Sequence, residues 1–301
     1  MRDDEVPAWW RGLGLDGLVD VHVHFMPDPV MEAVWRFFDQ AEEHYGVAWP
    51  IHYRTPAAER LATLQALGVR AFPALVYPHK PDMAAWLSAW ARGFAERTPG
   101  CVPTGTFYPE PGAAAYVAEA LEAGTRVFKV HLQVGGYDPR AEELDAVWGQ
   151  LAEAGVPVVV HCGSGPVPGR HTGPGPFGEV LARHPRLVAV IAHLGMPEYA
   201  EHLALAERYP GVHLDTTMAG TPFTEAIMPL PPALRPRLAG LADRIVLGSD
   251  FPNIPYPYAV QLESLQRLDL GDDWLRAVCW DNGARLLGLG PATGTNDQIG
   301  T

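Results

Sequence analysis

Eight times along this chain of 301 residues, a short apolar run rich in β-branched residues gives way to a helix-patterned segment. The runs cover 18–25, 69–77, 102–107, 126–133, 156–161, 187–193, 212–216 and 244–250. Continuous apolar strands that alternate with helices belong to a parallel sheet whose outer face is covered. Eight such units fit a (β/α)8 TIM barrel, an α/β fold in one domain over residues 1–289. The competing layout is an open doubly wound sheet. It lacks support, because no G-x-G-x-x-G follows the first run. Glycine and proline fall between the runs as turn punctuation, with Gly124 and Gly155 placed to stop helices and Asp82 placed to cap one. The stretch 163–176 is too long for an ordinary connection and reads as a functional loop. Residues 290–301 read as a flexible tail.

The composition excludes several classes. A net charge of −13 leaves no basic face for nucleic acid. No apolar run reaches the roughly 18 residues of a membrane span. The first residues are acidic and polar, unlike a secretory signal. Cys101, Cys162 and Cys279 are odd in number and far apart, which suggests free thiols and a cytoplasmic setting rather than a disulfide framework.

The polar residues of the runs are more telling. Val19-Asp20-Val21-His22-Val23-His24 places two histidines two residues apart, so they share one side of a strand, with Asp20 on that side one step earlier. Imidazoles and a carboxylate buried together need a partner, and a divalent metal ion supplies one. Later runs end in the same manner: Lys129 and His131, then His161, His193 and Asp250. The carboxyl ends of barrel strands form the active-site rim. Five strands therefore deliver histidine, lysine or aspartate to one rim.

Taken together, these segments resemble the amidohydrolase superfamily, in its amidohydrolase-related (amidohydrolase 2) branch. The resemblance rests on the His22 and His24 segment, Val127-Phe128-Lys129-Val130-His131, Val159-Val160-His161, Ile191-Ala192-His193-Leu194-Gly195 and Gly248-Ser249-Asp250-Phe251-Pro252. It extends to a closing segment led by Asp281 and Asn282. It implies a metal-dependent barrel enzyme that hydrolyses amides, esters or lactones, or in some members decarboxylates aromatic acids. Carried over, His22, His24 and His161 are metal ligands. Asp250 binds the metal, handles the proton of its water, or both. His193 stands beside the site as a proton shuttle. Three imidazoles and a carboxylate suit zinc, with manganese as the alternative. Burial is expected to raise the pKa of Asp250 toward a useful base. Asp20 is expected to hold a histidine ring. Lys129 forks the reading: carbamylated, it bridges a second metal; unmodified, it is a cation facing substrate, which is the reading preferred here. His131 is expected to contact substrate or support the site.

Substrate clues lie in the loops. Arg170 and Arg54 occupy the two longest irregular stretches, where a guanidinium can grip an anion. Aromatics such as Phe25, Tyr77, Phe107, Tyr108 and Tyr256 fall near the rim. They suggest a small planar acid, lactone or amide as the small-molecule partner. Hydrolysis leads. The rivals are a non-oxidative decarboxylase, a binuclear phosphotriesterase-like hydrolase, and a barrel that binds metal without turnover. Homodimerisation is the base-rate expectation.

Overall fold

The computed structural model describes residues 1–289. The tail reading for 290–301 lies outside the described residues. Nine strand segments are present among the described residues: β1 (Leu18–Val19), β2 (Val69–Pro73), β3 (Cys101–Val102), β4 (Thr104–Thr106), β5 (Val127–His131), β6 (Val158–His161), β7 (Ala189–Ile191), β8 (Val212–Asp215) and β9 (Ile245–Val246). They pair in parallel in the order β1-β2-β3 and β4-β5-β6-β7-β8-β9. Pro103 carries no N–H, and it separates β3 from β4, which share the third barrel position.

The barrel closes through the segment that follows β1. There Val21 N donates to Leu247 O at 2.8 Å, and His24 N donates to Phe251 O at 2.7 Å. Val23 pairs in parallel with Phe251, and Asp250 N donates back to His22 O at 2.9 Å. On its other side Asp20 N donates to Ala71 O, and Leu75 N donates to Val23 O. First and last strands are thus joined, and the chain is a (β/α)8 barrel.

Alternation along the strands sorts two cores. Phe128, Val130, Val158, Val160 and Leu214 face outward and pack with helix residues such as Trp148 and Phe177. Val19, Ala71, Val102, Val127, Val159, Val190 and Val246 form a separate inner cluster, closed by Ala284 and Leu287 near the end of the described chain. Two residues beyond Val127 and Val159 on the same inner face stand Lys129 and His161. A valine plug fills the lower barrel, and the polar residues form the floor above it.

Several boundaries differ from the sequence reading. Residues 247–250 leave the ladder, and Asp250 turns with φ of 69°. His193 and Leu194 lie in a turn after β7 with φ of 57° and 52°. The helical pattern after the first strand divides into Asp28–Phe38 and Ala41–Tyr45. Asp82 does not cap: it has φ of 65° and its N–H is taken by Glu110 Oε2, so the helix starts at Ala84. Gly155 does end the helix Glu142–Ala154, with φ of 63°. The long loop is cut short by the helix Pro174–Arg183. No helix among the described residues is long and apolar enough to cross a membrane.

Candidate metal centre and active site

His22 and His24 are held from behind. His22 Nδ1 lies 2.8 Å from Asp215 Oδ2, and His24 Nδ1 lies 2.9 Å from Leu75 O. A carbonyl oxygen only accepts, so His24 carries its proton on Nδ1. Burial keeps the His22 imidazole down at about 4, hence neutral near pH 7, with its Nδ1–H donated to Asp215. Asp215 is itself fixed by the N–H groups of His193 at 2.8 Å and Thr217 at 3.1 Å. Such carboxylate and carbonyl partners orient ligating histidines.

The two Nε2 atoms converge on Asp250. Its Oδ1 lies 3.0 Å from His24 Nε2 and 3.6 Å from His22 Nε2. Among the described residues, His22, His24 and Asp250 are the one group of three such donors within 4.8 Å of one another. With Nδ1 committed to Leu75 O, His24 Nε2 meets a carboxylate oxygen at a distance that needs a proton or a metal ion between the two atoms. Two acceptors at that distance call for a cation between them. The donor set of two imidazoles and a carboxylate therefore fits a divalent ion such as zinc or manganese. A cation already stands nearby: Lys129 Nζ lies 3.2 Å from His22 Nε2. Lys129 is fully buried, which lowers its amine to about 8.

Asp250 departs from expectation in one respect. Burial does push its carboxyl upward, but the neighbouring His24, His22 and His193 outweigh burial and hold it below the usual carboxylate range. The expected rise is thus reversed, and Asp250 is a carboxylate throughout the working pH range. Asp20 shows the opposite balance. Burial raises it to about 7 although it accepts from His22 N, Ser249 N and the hydroxyl of Tyr258. Asp20 bonds the backbone of His22, while Asp215 holds the ring.

The opposite corner of the floor is looser. His131 and His161 stack with centroids 3.9 Å apart and planes at 13°, as adjacent members of the β5–β6 register. Burial pushes both imidazoles well below their ordinary value. His161 Nε2 lies 3.2 Å from Gly165 O, and His161 stands outside the group formed by His22, His24 and Asp250. The structure thus brings His22, His24 and Asp250 together and places His161, the third ligand expected from sequence, beside His131 and His193. His193 bridges the corners, its ring centroid 4.6 Å from that of His161 and 5.1 Å from that of His22.

Above this floor opens a cavity of about 1050 Å3. Lys129, His131, His161, His193 and Asp250 all line it. Arg170 does not: it is exposed on the loop between β6 and the helix Pro174–Arg183. That loop folds back on itself, with Gly173 N donating to Cys162 O and Gly169 tied to Thr172, and leaves Arg170 outside. Arg54 also stays away, paired with Asp39. Of the rim aromatics expected from sequence, Tyr77 lines the cavity, whereas Phe25 and Phe107 pack in the core. Sequence reasoning missed Asp215, which ends β8 with nothing local to single it out, and missed the cavity wall supplied by the helix Asp28–Phe38.

The structure is a TIM barrel that carries a candidate metal-binding group of two histidines and an aspartate on its floor. The chain belongs to the amidohydrolase family, whose model matches residues 19–289. Solved structures share the fold. A TIM-barrel protein of Bordetella bronchiseptica, described as uncharacterized, aligns at 19% identity with a TM-score of 0.72, covering 91% of this chain and 99% of its own. The 5-carboxyvanillate decarboxylase of Novosphingobium aromaticivorans, solved with manganese and 4-hydroxy-3-methoxy-5-nitrobenzoic acid, aligns at 14% identity with a TM-score of 0.60, covering 91% of this chain and 96% of its own. A probable 2-pyrone-4,6-dicarboxylic acid hydrolase of Acinetobacter baumannii, with citric acid bound, aligns at 11% identity with a TM-score of 0.56, covering 90% of this chain and 99% of its own. No curated protein matches the sequence. At these identities the likeness establishes the barrel and leaves the reaction open.

Proposed function

We infer that this protein is a metal-dependent hydrolase of an amide, ester or lactone. The observation that carries the reading is the convergence of His22 Nε2, His24 Nε2 and Asp250 Oδ1, with both Nδ1 atoms committed to fixed acceptors. A divalent ion, when bound, supplies Lewis acidity and makes water a nucleophile near neutral pH. His22 and His24 would hold that ion, their ring angles set by Asp215 and Leu75 O. Zinc suits the donor set, and one ion is the count favoured here, with Lys129 as an unmodified ammonium facing the substrate oxygen. Asp250 accepts the proton of the attacking water and passes it to the leaving group. The bond from acyl carbon to nitrogen or oxygen breaks, hydroxyl adds to carbon, and hydrogen adds to the leaving atom. His193 and Asp250 both sit at positive φ, a conformation that costs non-glycine residues energy and recurs at active sites.

One observation favours a second reading. A similar fold solved with manganese is a decarboxylase. On that reading Asp250 or His193 supplies the proton that replaces carbon dioxide. The deciding experiment offers the metal-loaded protein a panel of esters, lactones, amides and aromatic acids in 18O-labelled water. Label entering an acid product supports hydrolysis. Carbon dioxide release without label in the product overturns it.

A further inference from the structure

The cavity is larger and more apolar than a small polar acid requires. Its volume of about 1050 Å3 reaches the upper end of the roughly 300–1,000 Å3 common for drug-sized ligands. The helix Asp28–Phe38 turns its apolar face into this space: Val30, Val34, Phe37 and Phe38 line it, while Glu32 and Arg36 approach each other to 3.9 Å away from it. Met31 alone of that helix is buried. An amphipathic helix ordinarily spends its apolar face on the core. Here that face is divided between a small core around Met31 and an open cavity.

Other elements extend the wall. Trp86, Val134 and Phe37 line the cavity and are 50%, 42% and 45% exposed, three of the four large apolar side chains most exposed among the described residues. Five of the seven methionines also line it, Met26, Met83, Met196, Met218 and Met228. Methionine adapts its shape to varied apolar ligands. Histidines apart, the charged side chains on the lining are Lys80, Lys129 and Asp250. No arginine stands there to grip a dicarboxylate bidentately.

We propose that the substrate carries a long or bulky apolar body, an acyl or arylalkyl chain, which lies along the wall of Val34, Phe37 and Trp86 while its scissile group rests on the histidine floor. The placement of the scissile group rests on the hydrolase reading; the apolar subsite stands on the lining alone. Continuity of the wall with the floor makes a small molecule that spans both the occupant.

The test is calorimetric titration of the metal-loaded protein with straight-chain carboxylates from butanoate to dodecanoate, with citrate and phthalate as compact polyanions. The dissociation constant is expected to fall about fourfold per added methylene until the wall is covered. Phe37→Ser and Trp86→Ser, both at exposed positions, flatten that slope, and circular dichroism checks their fold. A flat series, a slope unchanged in both variants, or citrate binding more tightly than dodecanoate overturns the proposal. Failure of the hydrolase reading is separately visible: chain-length-dependent binding with no 18O in any product removes hydrolysis and leaves the subsite in place.

Discussion

Two corners of one barrel floor are built from the same side chain and differ in what stands behind it. At the corner of the first and last strands, His22 is tied to Asp215 and His24 to a backbone carbonyl, so both Nε2 atoms aim at Asp250. At the corner of β5 and β6, His131 and His161 stack on each other, and the contact of His161 Nε2 is with Gly165 O in a loop. A stacked pair leaves its ring nitrogens uncommitted to a common point. The comparison teaches that histidines on neighbouring barrel strands do not by themselves aim their nitrogens at one point. The atom behind the ring decides where the free nitrogen points.

The sharpest way to break this contrast is to remove one ring from each corner. His24→Ala is expected to abolish stoichiometric metal and turnover, whereas His161→Ala keeps its metal and alters only turnover. Metal analysis after dialysis checks both, and equal metal loss in the two variants erases the distinction. Next in size is Asp250→Asn, which keeps the fold and lowers turnover by about 10²–10⁴-fold. Steady-state rates alongside a thermal melt measure it; near-normal rates contradict the role. Asp215→Asn tests the atom behind the ring and is expected to weaken metal affinity by about 10–100-fold, read by chelator competition.

The smallest effect concerns the thiol beside His161. Burial pushes Cys162 from its ordinary 9 up to about 12. The unfolded chain therefore loses this proton first as pH rises. Its contribution to stability is whole below pH 9 and declines between pH 9 and 12, by a factor of up to about ten in the folding equilibrium per pH unit. Cys162→Ala should blunt alkaline destabilisation, measured by denaturant titration at pH 8 and pH 10. An identical pH dependence in the variant would show that Cys162 makes no such contribution.

Much of this was legible before any coordinates. Period-two alternation puts Lys129 and His161 on the inner face above Val127 and Val159, because a strand allows no other placement. What stayed hidden depended on partners distant in sequence. Asp215 lies inside the short run 212–216 with nothing local to single it out, and its meaning comes from an atom 193 residues away. The lowered carboxyl of Asp250 depends on imidazoles gathered from strands far apart in the chain, so local burial alone gave the wrong sign. Arg170 was misplaced because a loop's path is set by its own hydrogen bonds and leaves no periodicity. The apolar stripe of the helix Asp28–Phe38 was visible, but whether it met core or cavity was not.

The central claim is that this corner holds the ion. Anomalous diffraction from crystals of the metal-loaded protein, recorded at the metal's absorption edge, tests it most directly. The account predicts one peak per chain, bounded by His22 Nε2, His24 Nε2 and Asp250 Oδ1. A peak between His131 and His161 instead, or a second peak of equal height beside Lys129, would contradict it.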